Sequence, residues 1–126
     1  MIYSREQFFG RWYRMAIDEQ GQQKSEYAQL FPDGRFEFTF STLNKYSEVC
    51  QQEIQLGDWG IVGDIHFTIT KSELIDQALY DADLSNADNY DAYRILTLDS
   101  QIFEYQHIFT NEVFIMRRVI DNIGHG

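Results

Sequence analysis

Three histidines, a single cysteine and a run of aspartates are the side chains here whose types could do chemistry. His66, His107 and His125 stand too far apart to offer the short ligand spacing of a zinc site, so no metal is expected. Cys50 has no histidine near it in sequence, so no nucleophile–base pair can be drawn, and it reads as a small buried hydrophobe in a strand. Asp81, Asp83, Asp88 and Asp91 fall in "DADLSNADNYD". That run lacks the glycine and closing glutamate of a calcium loop and reads as a solvated loop. No glycine-rich phosphate loop or nucleophile elbow occurs, and no cofactor is expected. What remains is Tyr93, Tyr105 and His107. They could be acid–base groups, or the few polar anchors of an apolar pocket. A histidine on an aromatic face is more often a hydrogen-bonded core residue than a ligand for haem or metal.

The elements that would position these groups follow from composition and period. The chain has 126 residues, 44% of them hydrophobic and 16% aromatic, which suits one domain over 1–126 with a rich core. The formal net charge is −10 with ten basic residues scattered along the chain, so a nucleic-acid surface is not expected. The same charge disfavours an anionic membrane surface. No stretch approaches the ~20 apolar residues of a membrane span. The opening "MIYSREQFFG" carries charges where a signal peptide needs an apolar run, and the lone cysteine fits a reducing compartment. A cytoplasmic protein is the expectation.

The dominant period is two. In "RFEFTFS", Phe36, Phe38 and Phe40 share one face. In "DIHFTIT", Ile65, Phe67 and Ile69 are expected inside and His66 outside. Turn chemistry falls at Pro32-Asp33-Gly34, Leu56-Gly57-Asp58, Gly63-Asp64, Asp99-Ser100-Gln101 and Thr110-Asn111. Strands are expected near 11–20, 24–31, 35–43, 46–55, 58–62, 65–71, 91–98, 102–109 and 112–120. Leu74, Ile75, Ala78, Leu79 and Ala82 fit helical spacing, so 72–90 reads as a short helix or irregular lid. The fold expected is all-β, an antiparallel up-and-down barrel of eight to ten strands, with an even count required for antiparallel closure.

Turn lengths set a register for the last three strands. A two-residue turn at Thr110-Asn111 places His107 opposite Phe114, Tyr105 opposite Met116 and Phe103 opposite Arg118. One face then collects Tyr93, Ile95, Phe103, Tyr105, His107, Phe114, Met116 and Arg118. The other face carries Arg94, Glu104 and Arg117, whose joint burial would be costly, so the aromatic face is the interior.

The opening run Phe8-Phe9-Gly10-Arg11-Trp12-Tyr13-Arg14-Met15-Ala16 resembles the Gly-x-Trp signature that begins the first strand of lipocalins, within the calycin superfamily. "ADNYDAY" (87–93) is similar to a degenerate form of the family's second signature. Shortness and lack of disulfides make the chain resemble small bacterial lipocalin-like proteins more than secreted carriers. The resemblance implies that Gly10 and Trp12 begin the closed end of a barrel. It also implies an arginine from the last strand across the Trp12 ring, which the register assigns to Arg118, with Arg117 as the fallback.

A barrel of about eight strands is either filled by side chains or holds one small ligand. The expected function is binding of a small hydrophobic or aromatic molecule by Phe38, Phe40, Trp59, Phe67, Tyr93, Tyr105, His107 and Phe114. The alternatives are a calycin-type isomerase or hydrolase using the tyrosines and His107, or an interaction module. Leu96, Leu98, Ile102, Ile108, Val113 and Ile115 would project together from the outer face and could form a homodimer contact.

Overall fold

The computed structural model describes residues 3–120, so His125 lies outside the described residues. The strands are β1 (Gly10–Ile17), β2 (Gln23–Leu30), β3 (Arg35–Leu43), β4 (Val49–Val62), β5 (Ile65–Ile75), β6 (Ala78–Asp81), β7 (Tyr90–Leu98), β8 (Ile102–His107) and β9 (Val113–Arg118). Every pairing is antiparallel. Neighbours run β4-β3-β2-β1-β9-β8-β7-β5, and β4 also pairs with β5. Eight strands therefore close an up-and-down barrel, and β6 folds back as a flap on the far half of β5. Short 3-10 turns at Arg5–Phe8 and Ala87–Asn89 complete the described residues, which hold no α-helix.

Five local expectations are corrected. No helix forms over 72–90. Asp76 and Gln77 both take positive φ, 51° and 69°, which is the geometry of a two-residue hairpin turn. Leu74 then faces Leu79 and Ile75 faces Ala78 across the turn. The four-residue spacings Leu74–Ala78 and Ile75–Leu79 that suggest a helix instead span the turn, between residues that are not partners.

The expected break at Leu56-Gly57-Asp58 does not occur, and β4 runs through it for 14 residues. The glycine answers a close approach instead of a turn. A Cβ on Gly57 would stand 1.9 Å from the Ile69 carbonyl oxygen and 2.7 Å from the Phe36 ring. The β4–β5 register shifts at this point, between Leu56 and Gly57.

The two faces of β5 are the reverse of the expectation. Trp59 faces inward, its Nε1 donating to the Phe31 carbonyl at 3.0 Å. The two-residue turn Gly63-Asp64 pairs Ile61 with His66 and Trp59 with Thr68. Antiparallel partners share a face, so His66, Thr68 and Thr70 are buried inside. Phe67 goes outside, where its ring covers Gly60.

The β8–β9 connection is longer than expected. His107 N–H donates to the Glu112 carbonyl at 2.9 Å, and Asn111 takes φ 63°. Tyr105 therefore faces Phe114, and Phe103 faces Met116. The register differs by two residues, which leaves the β8 and β9 side chains on their expected faces. A second shift, between Ile95 and Thr97, brings Leu98 opposite Phe103 and against the core. Cys50 is exposed, contrary to its reading as a buried hydrophobe.

The core fills one end of the barrel. Phe8, Trp12, Leu30, Phe36, Trp59, Ile95, Phe103 and Met116 are its buried apolar side chains. The Arg5–Phe8 turn stoppers that end, with Phe8 wholly buried. The other end lacks such a stopper among the described residues, and the lumen opens there.

Candidate functional site

The closed end is held by one cross-strand pair. Trp12 on β1 lies opposite Arg118 on β9. The guanidinium carbon of Arg118 stands 4.1 Å from the Trp12 ring centroid, a cation–π contact. Arg118 Nε donates to the Ser100 carbonyl at 2.9 Å and Nη2 to the Gln7 carbonyl at 2.8 Å, while Nη1 donates to the Phe9 carbonyl. Trp12 Nε1 donates to the Phe8 carbonyl at 3.0 Å. Gly10 turns the chain into β1 with φ +109°, and a Cβ there would meet Arg118 Nη1 at 2.9 Å. Trp59 belongs to this closed core and does not line the pocket described next.

Above the core lies a cavity of ≈ 260 Å³. Phe38, Phe40, Tyr93, Tyr105, Phe114 and Met116 supply its apolar and aromatic wall, and Glu26, Gln55, Thr68 and Asp91 its polar groups. These residues meet because strands of alternating period place every second side chain in the lumen. The rings pack edge to face: Tyr93 on Tyr105 at 5.0 Å and on Phe114 at 6.1 Å. A wider, polar recess of ≈ 510 Å³ adjoins it and shares Glu26, Phe40 and Gln55. That recess is the vestibule. Phe67, on the outer face of β5, takes no part.

The lumen also holds an ion pair that the sequence reading missed. Arg14 and Glu26 face each other across β1 and β2. Arg14 Nε and Nη2 donate to the two carboxylate oxygens, each at 2.9 Å. The guanidinium carbon lies 4.9 Å from the Phe114 ring centroid. The hydrogen bond to Glu26 raises the Arg14 pKa further, so the arginine is charged throughout the ordinary range. The signal was present: Arg14 is two residues beyond Trp12, and one face of β1 holds both.

The three polar side chains singled out in the sequence have different fates. Burial pushes the Tyr93 and Tyr105 hydroxyls up, so both stay neutral near pH 7. Both line the cavity. His107 does not line it. Its Nδ1 accepts from the backbone N–H of Phe109 at 3.1 Å and of Thr110 at 3.3 Å. Nδ1 is therefore unprotonated in this arrangement, and Nε2 carries the hydrogen that faces Asp91 Oδ1 at 3.1 Å. His107 clamps the β8–β9 turn, and Asp91 takes the place in the pocket that the sequence suggested for it.

His66, expected outside, is the most unusual polar group of the lumen. It is 3% exposed, and neither ring nitrogen has a hydrogen-bond partner. The ring stacks on Phe8 at 5.7 Å and meets Phe103 edge-on at 5.3 Å. Burial pushes its pKa down to about 3, so it is neutral at physiological pH.

Comparison with solved structures finds a lipocalin-like protein from Bacteroides uniformis ATCC 8492, with a TM-score of 0.53 and 13% identity over 90% of this chain and 99% of that one. At that identity the likeness concerns the fold: this chain has a lipocalin-like β-barrel. No protein-family profile and no curated protein matches the sequence.

Proposed function

We propose that this protein binds a small hydrophobic or aromatic molecule in the lumen of its barrel. One observation carries the reading: the ≈ 260 Å³ space walled by Phe38, Phe40, Tyr93, Tyr105, Phe114 and Met116, above a packed floor and below a polar vestibule. Sites of this kind combine apolar walls with a few fixed polar groups. The volume suits a compact molecule of a few rings. An acid–base enzyme is the weaker reading. Burial raises the pKa of both tyrosine hydroxyls, which disfavours a phenolate base, and His107 is engaged at Nδ1 by the β8–β9 turn and at Nε2 by Asp91 of β7.

Titration with the neutral fluorophore N-phenyl-1-naphthylamine tests the reading. Ala28 borders the cavity beside Phe38, so Ala28→Leu places three further carbons in the space. Saturable one-to-one binding by the wild type, lost in a folded Ala28→Leu variant, supports it. No saturable binding, or binding indifferent to Ala28→Leu, rejects it.

A second reading concerns the outer face of β7 to β9. Leu96, Val113 and Ile115 are 41%, 44% and 47% exposed there and support self-association. Sedimentation that shows a dimer dissolved by Ile115→Glu fits this reading, and a monomer at high micromolar concentration contradicts it.

A further inference from the structure

The floor of the lumen carries a group that its surroundings leave unused. His66 sits among Phe8, Trp59, Tyr93, Phe103 and Tyr105, with both ring nitrogens unpartnered. A neutral imidazole offers one donor and one acceptor. Buried polar groups are nearly always paired, so an orphan beside a cavity is a place to look for a ligand. Such a cavity exists: a space of ≈ 30 Å³ lies against His66, walled otherwise by apolar and aromatic side chains. It adjoins the larger ligand cavity. Ala28, Phe38, Tyr93, Tyr105 and Met116 line both.

We propose that His66 is the specificity-determining residue of the lumen, and that it selects ligands whose leading end carries one compact, uncharged hydrogen-bonding group, a hydroxyl or a carbonyl, ahead of an aromatic body. The inference rests on the binding reading above and names the ligand class. The size argument is direct. The space beside the ring is ≈ 30 Å³ against ≈ 260 Å³ above it, so it admits the leading end of a ligand and not its body. A carboxylate would lie there unpaired, because no cation is among the residues that line the space. The charge of the upper cavity acts in the same direction. Its ionisable carboxylates are Glu26 and Asp91, no cation is among its lining residues, and the neighbouring Arg14 is already held in two hydrogen bonds by Glu26. An anionic head therefore meets repulsion above and desolvation below. A neutral hydroxyl meets the open valence of the imidazole.

The test compares three probes of one shape: 2-naphthol, 2-methylnaphthalene and 2-naphthoate. Hydrophobic transfer alone ranks methylnaphthalene first, because it has the least affinity for water. The proposal requires the wild type to prefer 2-naphthol over 2-methylnaphthalene by roughly tenfold, the net worth of about one hydrogen bond, and to bind 2-naphthoate most weakly. His66→Phe keeps an aromatic ring in place and should abolish the naphthol preference while 2-methylnaphthalene still binds. A second measurement needs no variant. The ¹⁵N resonances of the His66 ring in the wild type should shift on adding 2-naphthol and stay still with 2-methylnaphthalene. If 2-methylnaphthalene binds as well as or better than 2-naphthol and the ring nitrogens do not respond, the inference fails while the binding reading stands. If a folded His66→Phe protein keeps the naphthol preference, the inference also fails. If none of the probes binds the wild type, both fall together.

Discussion

Arg118 covers Trp12 across the β1–β9 seam, its guanidinium carbon 4.1 Å from the indole centroid, while its nitrogens hold the carbonyls of Gln7, Phe9 and Ser100. One side chain thus joins the stopper, the first strand, the last strand and the β7–β8 loop. Arg118→Met keeps the aliphatic stem and removes the fork, and should destabilise the fold by roughly 2 kcal/mol. Arg118→Lys should recover less than half, because a single ammonium cannot reach three carbonyls in the same geometry. Urea unfolding of the two variants checks both; a lysine variant as stable as wild type would contradict the account.

Gly10 and Arg118 are coupled. Alanine at position 10 meets both a φ of +109° and an Arg118 nitrogen at 2.9 Å. Gly10→Ala should cost roughly 2–3 kcal/mol in the wild type. The cost should be smaller by about 0.5–1 kcal/mol when Arg118 is already Met, since the steric share is gone. A double-mutant cycle with no coupling would place the whole cost in the backbone.

Gly57→Ala should prevent stable folding. Its Cβ would be 1.9 Å from a backbone oxygen on β5, and backbone cannot move aside as a side-chain tip can. Loss of the cooperative melting transition is expected, and a variant melting within a few degrees of wild type would rule out the tight β4–β5 crossing.

His66 makes stability depend on pH in a defined direction. Its imidazole falls to about 3 in the fold, against ~6.5 in an unfolded chain. Between those values the unfolded chain binds a proton that the folded one refuses. The stability held by the neutral ring is complete above about pH 6.5 and is lost on acidification towards pH 3, by up to ~1.4 kcal/mol per unit. His66→Phe cannot titrate. The variant should therefore gain on wild type as pH is lowered from about 7 to 4. A difference that stays flat across that window would contradict a buried, neutral His66.

Glu73 lies opposite Gln55 beside Glu53, and burial first, then the Glu53 carboxylate, raises its pKa. Solvent screens most of this repulsion. Glu73→Gln should raise stability by under about 0.5 kcal/mol at neutral pH, and the gain should shrink as the pH falls into the carboxylate range, where wild-type Glu73 takes up its proton. Paired melting curves at neutral and acidic pH check the trend.

The barrel was legible in the sequence because a two-residue period writes itself into every strand. Phe36, Phe38 and Phe40 face the lumen as their spacing implies, and a two-residue error in the β8–β9 register left Tyr105 and Phe114 on the proper side. Errors arose where two patterns compete. β5 alternates two strand-forming sets, Ile65, Phe67 and Ile69 against His66, Thr68 and Thr70, and hydrophobicity alone points to the wrong one. The choice was decidable. Once Gly63-Asp64 closes a two-residue hairpin, an inward Trp59 forces Thr68 and His66 inward with it. Gly57 suggests a turn because a close backbone approach leaves the same mark in a sequence as a turn does. Arg14 and Glu26 are not legible in the sequence because charge ordinarily marks the outer face, and only the β1–β2 register reveals that they satisfy each other.

The central claim is that a small apolar molecule enters the lumen. Chemical-shift mapping of the wild type with N-phenyl-1-naphthylamine tests it most directly. The account predicts saturable shifts concentrated on Phe38, Tyr93, Tyr105, Phe114 and Met116, with Leu96, Val113 and Ile115 on the outer face unmoved. Shifts confined to that outer face, with the lumen residues silent at saturation, would contradict it.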